Sequence, residues 1–157
     1  MTHITGPIYT ANDPGSSAAP VVPETRGEVL SANDTLTMQE SGKVYYLANA
    51  SGLTVTLPVI ATAGIGARYK FIVKTAPTAA GYVITEATAS DTNKICTNGI
   101  NELEVDTNDD GPYDANHTTI TFAANIAVAG DWVELETDGT YWYATGQTKS
   151  DGGVTLA

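Results

Sequence analysis

The residues best suited to chemistry lie in one polar stretch, Asp106–His117, which has the sequence DTNDDGPYDANH. A calcium-binding EF-hand loop supplies its ligands from loop positions 1, 3, 5, 7, 9 and 12 and has glycine at position 6. Gly111 stands at position 6. The residues at positions 1, 3, 5 and 9 are the candidate calcium ligands Asp106, Asn108, Asp110 and Asp114.

Two features of this loop exclude an EF-hand. Position 12, where an EF-hand has a bidentate glutamate, is His117, a poor calcium ligand. The flanking segments, 103–105 and 118–122, are strand-like rather than helical. Two interpretations stay open: a looser calcium loop on a β-protein, or a long polar connection whose Asp and Asn side chains bond their own backbone.

The rest of the chain contains no motif typical of a catalytic site. Its two histidines, His3 and His117, have no nucleophile motif beside them, and Gly64-Ile65-Gly66 lacks the third glycine of a dinucleotide-binding loop. Glu134 and Glu136 share a strand face, but nothing marks them as the paired carboxylates of a glycosidase. We therefore expect a protein that is not an enzyme and has no cofactor, with calcium as the only candidate metal.

The charge balance narrows the class of partner. Eighteen acidic residues against seven basic ones give a formal net charge of -11. This charge opposes binding to nucleic acid, which is dominated by phosphate contacts, and to anionic membrane surfaces. No apolar run reaches the roughly 18 residues that span a bilayer.

Cys96 is the only cysteine, so an intrachain disulfide is excluded. We expect Cys96 to be a small buried apolar residue.

Three of the seven basic residues cluster in one strand-like segment: Arg68, Lys70 and Lys74. They could form a patch for an acidic partner. The simpler interpretation pairs them across strands with acidic residues such as Glu134 and Glu136. That interpretation predicts that segments 67–74 and 131–137 are neighbours in one sheet.

Short segments of alternating apolar and polar residues predict the fold. Examples are 53–57, 68–73 and 119–122, and turn residues such as Ser41-Gly42 separate them. No segment predicts a convincing helix, and 58–66 is the nearest approach. Roughly eight to ten short strands indicate an all-β fold, a β-sandwich or β-barrel of short antiparallel strands.

The clearest hairpin is at 131–145. Asp138-Gly139 predicts a two-residue type I′ turn. That turn would place Leu135 opposite Trp142 and Glu134 opposite Tyr143. We expect the face bearing Leu135 and Trp142 to pack inward, because the opposite face is mixed.

Residues 1–28 differ from the β-rich domain expected at 29–157. They hold four of the seven prolines, and Ala19-Pro20-Val21-Val22-Pro23 favours polyproline II. We expect an extended N-terminal arm that orders against a partner, or a plain terminal tail. The apolar residues that would make the contacts are Ile4, Ile8, Tyr9, Val21 and Val22.

Two stretches resemble a module of tailed-bacteriophage virion proteins. Residues 31–58, SANDTLTMQESGKVYYLANASGLTVTLP, have its Thr-Leu-Thr strand, Ser-Gly turn, aromatic strand and Gly-x-Thr-Val-Thr-Leu-Pro ending. Residues 131–147, DWVELETDGTYWYATGQ, resemble its closing hairpin. The resemblance covers most of 29–157, and its motifs are structural rather than catalytic.

The resemblance implies a structural virion protein, most like capsid decoration (cement) proteins. Such proteins are commonly β-rich homotrimers on the outer surface of the capsid, bound to the major capsid protein at subunit junctions, and several use an N-terminal arm. The alternative is a head- or tail-fibre component that adheres to the host surface through exposed loops and aromatics such as Tyr141 and Trp142. A carbohydrate-binding module of a cellular protein is a third possibility, although no signal peptide is recognisable.

Overall fold

The computed structural model describes residues 26–87, 91–104 and 116–157. Within these ranges the chain forms eleven strands, a 3-10 turn at Met38–Glu40 and a one-turn helix, α1, at Ile60–Ala63. The strands are β1 (Gly27–Leu30), β2 (Asp34–Thr35), β3 (Val44–Leu47), β4 (Leu53–Thr56), β5 (Arg68–Val73), β6 (Tyr82–Thr85), β7 (Ile95–Glu102), β8 (Thr119–Phe122), β9 (Trp132–Thr137), β10 (Trp142–Thr148) and β11 (Val154–Leu156).

These strands form two sheets, which confirms the expected all-β, sandwich-like fold. The six-stranded sheet has the order β1-β3-β5-β9-β10-β7, and the five-stranded sheet has the order β11-β8-β6-β4-β2. From β1 to β9, successive strands alternate between the two sheets.

The strand directions differ from the antiparallel expectation, because both sheets are mixed. The pairs β1–β3, β3–β5, β2–β4, β4–β6 and β10–β7 are parallel. Parallel neighbours need a crossover connection, which is usually a helix. Here a strand of the opposite sheet makes the crossover, so the sequence shows strand signals where a helix would otherwise be expected.

The core lies between the two sheets. Alternate residues of nearly every strand point into it, which follows from the two-residue period of a strand. Trp142 and Tyr69 meet edge to face with ring centroids 5.7 Å apart, and Tyr45 stacks on Phe71 at 5.5 Å. The largest fully buried side chains are Trp142, Tyr45, Tyr69, Tyr82, Phe71 and Phe122.

The β9–β10 hairpin forms, but its predicted register is wrong. Thr137 lies opposite Trp142, and Leu135 lies opposite Ala144. The turn is centred on Gly139-Thr140, with only the glycine at positive φ (89°), because the Asp138 carboxylate accepts the backbone N–H groups of Thr140 and Tyr141. Glycine at the first turn position is typical of type II′. The shift preserves the facing of each side chain, so Leu135 and Trp142 are buried as expected.

The first strand begins slightly before the expected domain boundary. Gly27 and Glu28, assigned to the arm by the sequence, belong to β1 and pair with β3. In the segment 58–66, helix is limited to the single turn α1, which ends at Gly64 with φ at 77°. Glycine accommodates this backbone conformation without strain.

Candidate interaction surface

The site residues predicted from the sequence lie outside the described ranges. This holds for the candidate calcium ligands Asp106, Asn108, Asp110 and Asp114, and for the arm residues Ile4, Ile8, Tyr9, Val21 and Val22. Both predictions therefore stay predictions. The described residues stop at Glu104, two residues after β7, and resume at Asn116. His117 bridges to Ile95 through two backbone hydrogen bonds of 2.8 and 3.0 Å.

Two of the three clustered basic residues, Arg68 and Lys70, are paired with Glu134 of β9, in the way the simpler interpretation predicted. β5 and β9 are antiparallel neighbours, with Lys70 opposite Glu134. Glu134 takes part in two ion pairs, at 3.4 Å with Arg68 Nε and at 3.9 Å with Lys70 Nζ. These contacts give Glu134 a structural role in pairing β5 with β9.

A row of apolar side chains crosses the outer face of the six-stranded sheet. Strand register aligns one outward residue from each of four adjacent strands: Val29, Tyr46, Ile72 and Trp132. We call these four residues the apolar stripe. Val29 is 51% exposed and Tyr46 is 38% exposed, while Ile72 and Trp132 are half-buried. A contiguous exposed apolar row of this kind marks an interaction site more often than scattered single residues do.

The stripe has a lysine at its Trp132 end and the backbone of β1 at its Tyr46 end. Lys70 Nζ lies 4.0 Å from the centroid of the Trp132 ring, a cation–π contact. At the other end, a Cβ added to Gly27 would lie 3.2 Å from Cε2 of Tyr46, so the tyrosine ring lies beside the backbone of β1. The stripe therefore reaches the sheet edge where the chain enters the domain.

An acidic hollow of about 330 Å³ lies on the same outer face near the β9–β10 turn. Its walls include Glu136, Asp138, Tyr143 and the strongly exposed Ile65. The Tyr143 hydroxyl donates to Asp138 Oδ2 at 3.0 Å, and this bond is the main cause that raises the pKa of Tyr143. Backbone hydrogen bonds from Tyr141 and Thr140 lower the pKa of Asp138, which therefore stays ionised.

A second hollow of about 640 Å³, beside the start of β1, brings together Arg26, Lys43 and Arg68. The cations are not alone there. Lys43 Nζ pairs with Glu28 at 3.0 Å and with Glu40 at 3.3 Å. Burial acts to raise the pKa of Glu40, but hydrogen bonds from Thr37 and Lys43 outweigh it and lower that pKa. The pairing leaves this hollow a weak attractor for anions.

The buried carboxylates stabilise loops. Asp91 Oδ2 accepts the backbone N–H of Ile60 at the start of α1, at 2.9 Å. Glu86, which is 1% exposed, accepts the N–H of Lys94 at 3.0 Å, and burial raises its pKa. Such groups satisfy backbone donors that the loops would otherwise leave without partners.

Cys96 is half-buried, so the expectation of full burial is wrong. It lies on the outward side of β7, next to Tyr143 of β10, and its thiol Sγ is 3.0 Å from Asn116 Oδ1. Burial raises its pKa, so the thiol stays protonated and weakly nucleophilic at neutral pH.

The outer face of the six-stranded sheet is thus suited to binding a protein or a sugar. Within the described ranges, no group of three His, Cys, Asp or Glu side chains could hold a metal ion, and no helix is long and apolar enough to cross a bilayer. The apolar stripe could not be predicted from the sequence, because its four residues become neighbours only once the strand order is known. No family model, curated protein or solved structure matches the chain.

Proposed function

We propose that the protein is a structural component of a tailed-phage virion that decorates the capsid and stabilises it at subunit junctions. The observation that carries the proposal is the apolar stripe, which begins on β1, the strand that continues directly from the N-terminal segment. An exposed apolar row beside a chain terminus suits a protein that binds other proteins.

The two segments that resemble phage virion proteins support the same function. Residues 31–58 contain β3, and residues 131–147 contain β9. These two strands flank β5 in the six-stranded sheet. Tyr46 and Trp132, the two aromatic members of the stripe, come from these segments. The part of the chain that carries the resemblance therefore also builds the exposed surface.

A decoration protein needs contacts rather than catalysis. Genome packaging pushes the shell outward, and apolar contacts across capsid subunit junctions oppose that force. Several copies associated as a homotrimer would add their contacts through effective concentration, so that each contact can be weak. The acidic net charge keeps the free protein soluble until it binds.

The test uses capsids of the phage that encodes the chain. The full-length protein should co-sediment with expanded capsids, and immunogold label should cover the shell of purified particles. Ile4→Asp with Ile8→Asp should weaken co-sedimentation, because an extended arm cannot bury a charge cheaply. Thr5→Asp with Thr10→Asp adds the same charge in the same segment and serves as the matched control. Wild-type protein that never sediments with capsids would refute the proposal.

A fibre component that adheres to the host is the second candidate, and one observation favours it. Trp142 is fully buried, so it cannot contact a host surface as first expected. Tyr143, however, is 47% exposed beside Asp138 and Glu136 in the acidic hollow. An aromatic ring next to carboxylates can stack on a sugar and accept its hydroxyl hydrogen bonds. Binding on a glycan array that Tyr143→Ala abolishes, together with gold label at fibre tips, would favour this function.

A further inference from the structure

The apolar stripe favours an occupant, because Val29 and Tyr46 are exposed beside the half-buried Ile72 and Trp132, and burying this apolar surface is favourable. We propose that Pro20–Pro23 of the same chain docks across the stripe as a polyproline II segment. This docking goes beyond the proposed function, since it concerns the isolated protein: the segment covers the stripe there and is displaced when an external partner binds the stripe.

The position where the chain enters the sheet places the segment next to the stripe. Gly27 begins β1, and the ring of Tyr46 lies beside it. Only Glu24, Thr25 and Arg26 separate Pro23 from Gly27. Four extended steps reach about 13 Å, whereas the neighbouring strand that carries Tyr46 is only about 4.8 Å away. Pro23 can therefore fold back over the sheet of its own chain.

The spacing of the prolines matches the spacing of the strands that carry the two aromatic residues. Residues three apart in polyproline II lie on one side of the helix, about 9.3 Å apart at 3.1 Å per residue. Tyr46 on β3 and Trp132 on β9 are two strand spacings apart, about 9.6 Å. A segment with Pro23 over β3 thus places Pro20 over β9, with β5 and its Ile72 between them.

The chemistry of the surface also fits this occupant. Proline-rich segments bind aromatic-lined surfaces, because polyproline II is already extended and loses little entropy on docking. Tethering by three residues gives an effective concentration on the order of millimolar, so a contact with a millimolar Kd is about half occupied. The docking would hold Val21 and Val22 against the domain and leave Ile4, Ile8 and Tyr9 to reach a partner.

The test measures how well iodide quenches Trp132 in the full-length protein. Trp142 is fully buried, so a Trp132→Phe chain supplies the background signal. Pro20→Ser with Pro23→Ser should roughly double the quenching constant of the Trp132 component, because a segment docked about half the time shields the ring for that fraction. Neither substitution touches the described core, so the fold should be unchanged.

Pro7→Ser with Pro14→Ser is the matched control, since it removes two prolines from the same terminal segment without the three-residue spacing. It should leave the quenching constant at the wild-type value. Equal quenching in all three proteins would overturn the proposal. Protection of Trp132 that disappears on dilution would also overturn the proposal. Binding of a segment from a second copy depends on protein concentration, whereas docking within one chain does not.

Discussion

Replacing Asp131 tests what stabilises the six-stranded sheet at the start of β9. Asp131 is 4% exposed, and both of its carboxylate oxygens are used. Oδ2 accepts the backbone N–H of Val128 at 2.8 Å, and Oδ1 accepts the N–H of Lys149 at 2.9 Å. One side chain thereby joins the loop before β9 to the segment that follows β10.

The expected loss in the free energy of unfolding follows from the two backbone N–H donors that lose their acceptor. A buried donor left without an acceptor costs about 1–3 kcal/mol, and bonds to a charged acceptor lie toward the upper end. Both sites are only partly buried, so water compensates in part, and Asp131→Ala should lower the free energy of unfolding by roughly 2–4 kcal/mol. Asp131→Asn keeps one acceptor oxygen and should lose roughly half as much.

Urea unfolding followed by tryptophan fluorescence measures the loss, because Trp142 moves from full burial to solvent. With a slope of about 2 kcal/mol per molar urea, Asp131→Ala should lower the midpoint by about 1–2 M. Asp151→Ala removes the same charge from an exposed turn and should change stability by less than about 0.5 kcal/mol. Equal midpoints for the two alanine variants would refute the assignment of Asp131 as a clamp.

Three further predictions concern the charged groups. Glu134→Gln should cost less than about 1 kcal/mol in urea unfolding, since its ion pairs are solvent-exposed, and a loss above about 2 kcal/mol would contradict this. Burial raises the pKa of Glu86, so wild-type stability is lost as pH rises through that pKa. Glu86→Gln should therefore gain stability relative to wild type as pH rises, and urea midpoints that differ equally at every pH would contradict it. Asp138→Asn should lower the pKa of Tyr143 in an ultraviolet titration, with Tyr143→Phe identifying the signal, because the variant removes the anion that favours the protonated phenol. An unchanged pKa would show that the hydrogen bond is not formed in solution.

Local patterns were sufficient to predict the strands but not how they are ordered. Alternation in 53–57, 68–73 and 119–122 corresponds to β4, β5 and β8. The pairing of Lys70 with Glu134 was also accessible, because opposite charges on two amphipathic strands favour neighbouring positions. Strand direction was not accessible, since an alternating segment has the same pattern in a parallel and an antiparallel pair.

The hairpin shows how one side chain can change a register. Asp-Gly is a strong signal for a type I′ turn, and the two-residue count followed from it. In the structure the Asp138 carboxylate accepts two backbone N–H groups within the turn, which moves the turn centre one residue onward. The burial of Leu135 and Trp142 was still predicted correctly, because a shift of this size keeps each residue on its own face.

The apolar stripe marks the limit of the sequence analysis. Val29, Tyr46, Ile72 and Trp132 are widely separated in sequence, and each alone is an ordinary outward residue. Only the order of β1, β3, β5 and β9 in one sheet makes them adjacent. Conversely, the fibre alternative placed Trp142 at the binding surface, whereas the hairpin pattern predicted its burial, and the fold places its ring fully inside.

The alternation of strands between the two sheets has a consequence for how the chain acquires its structure. Among the described strands, β9 and β10 form the only pair that is consecutive in sequence. Chains dominated by such distant pairings fold slowly, on the millisecond to second scale. During synthesis β7, which has only a single bridge at Ile95 besides, must wait for β10, its only partner strand in the described structure, which emerges some forty residues later. The nascent chain therefore carries an unpaired strand for seconds at the usual rate of translation.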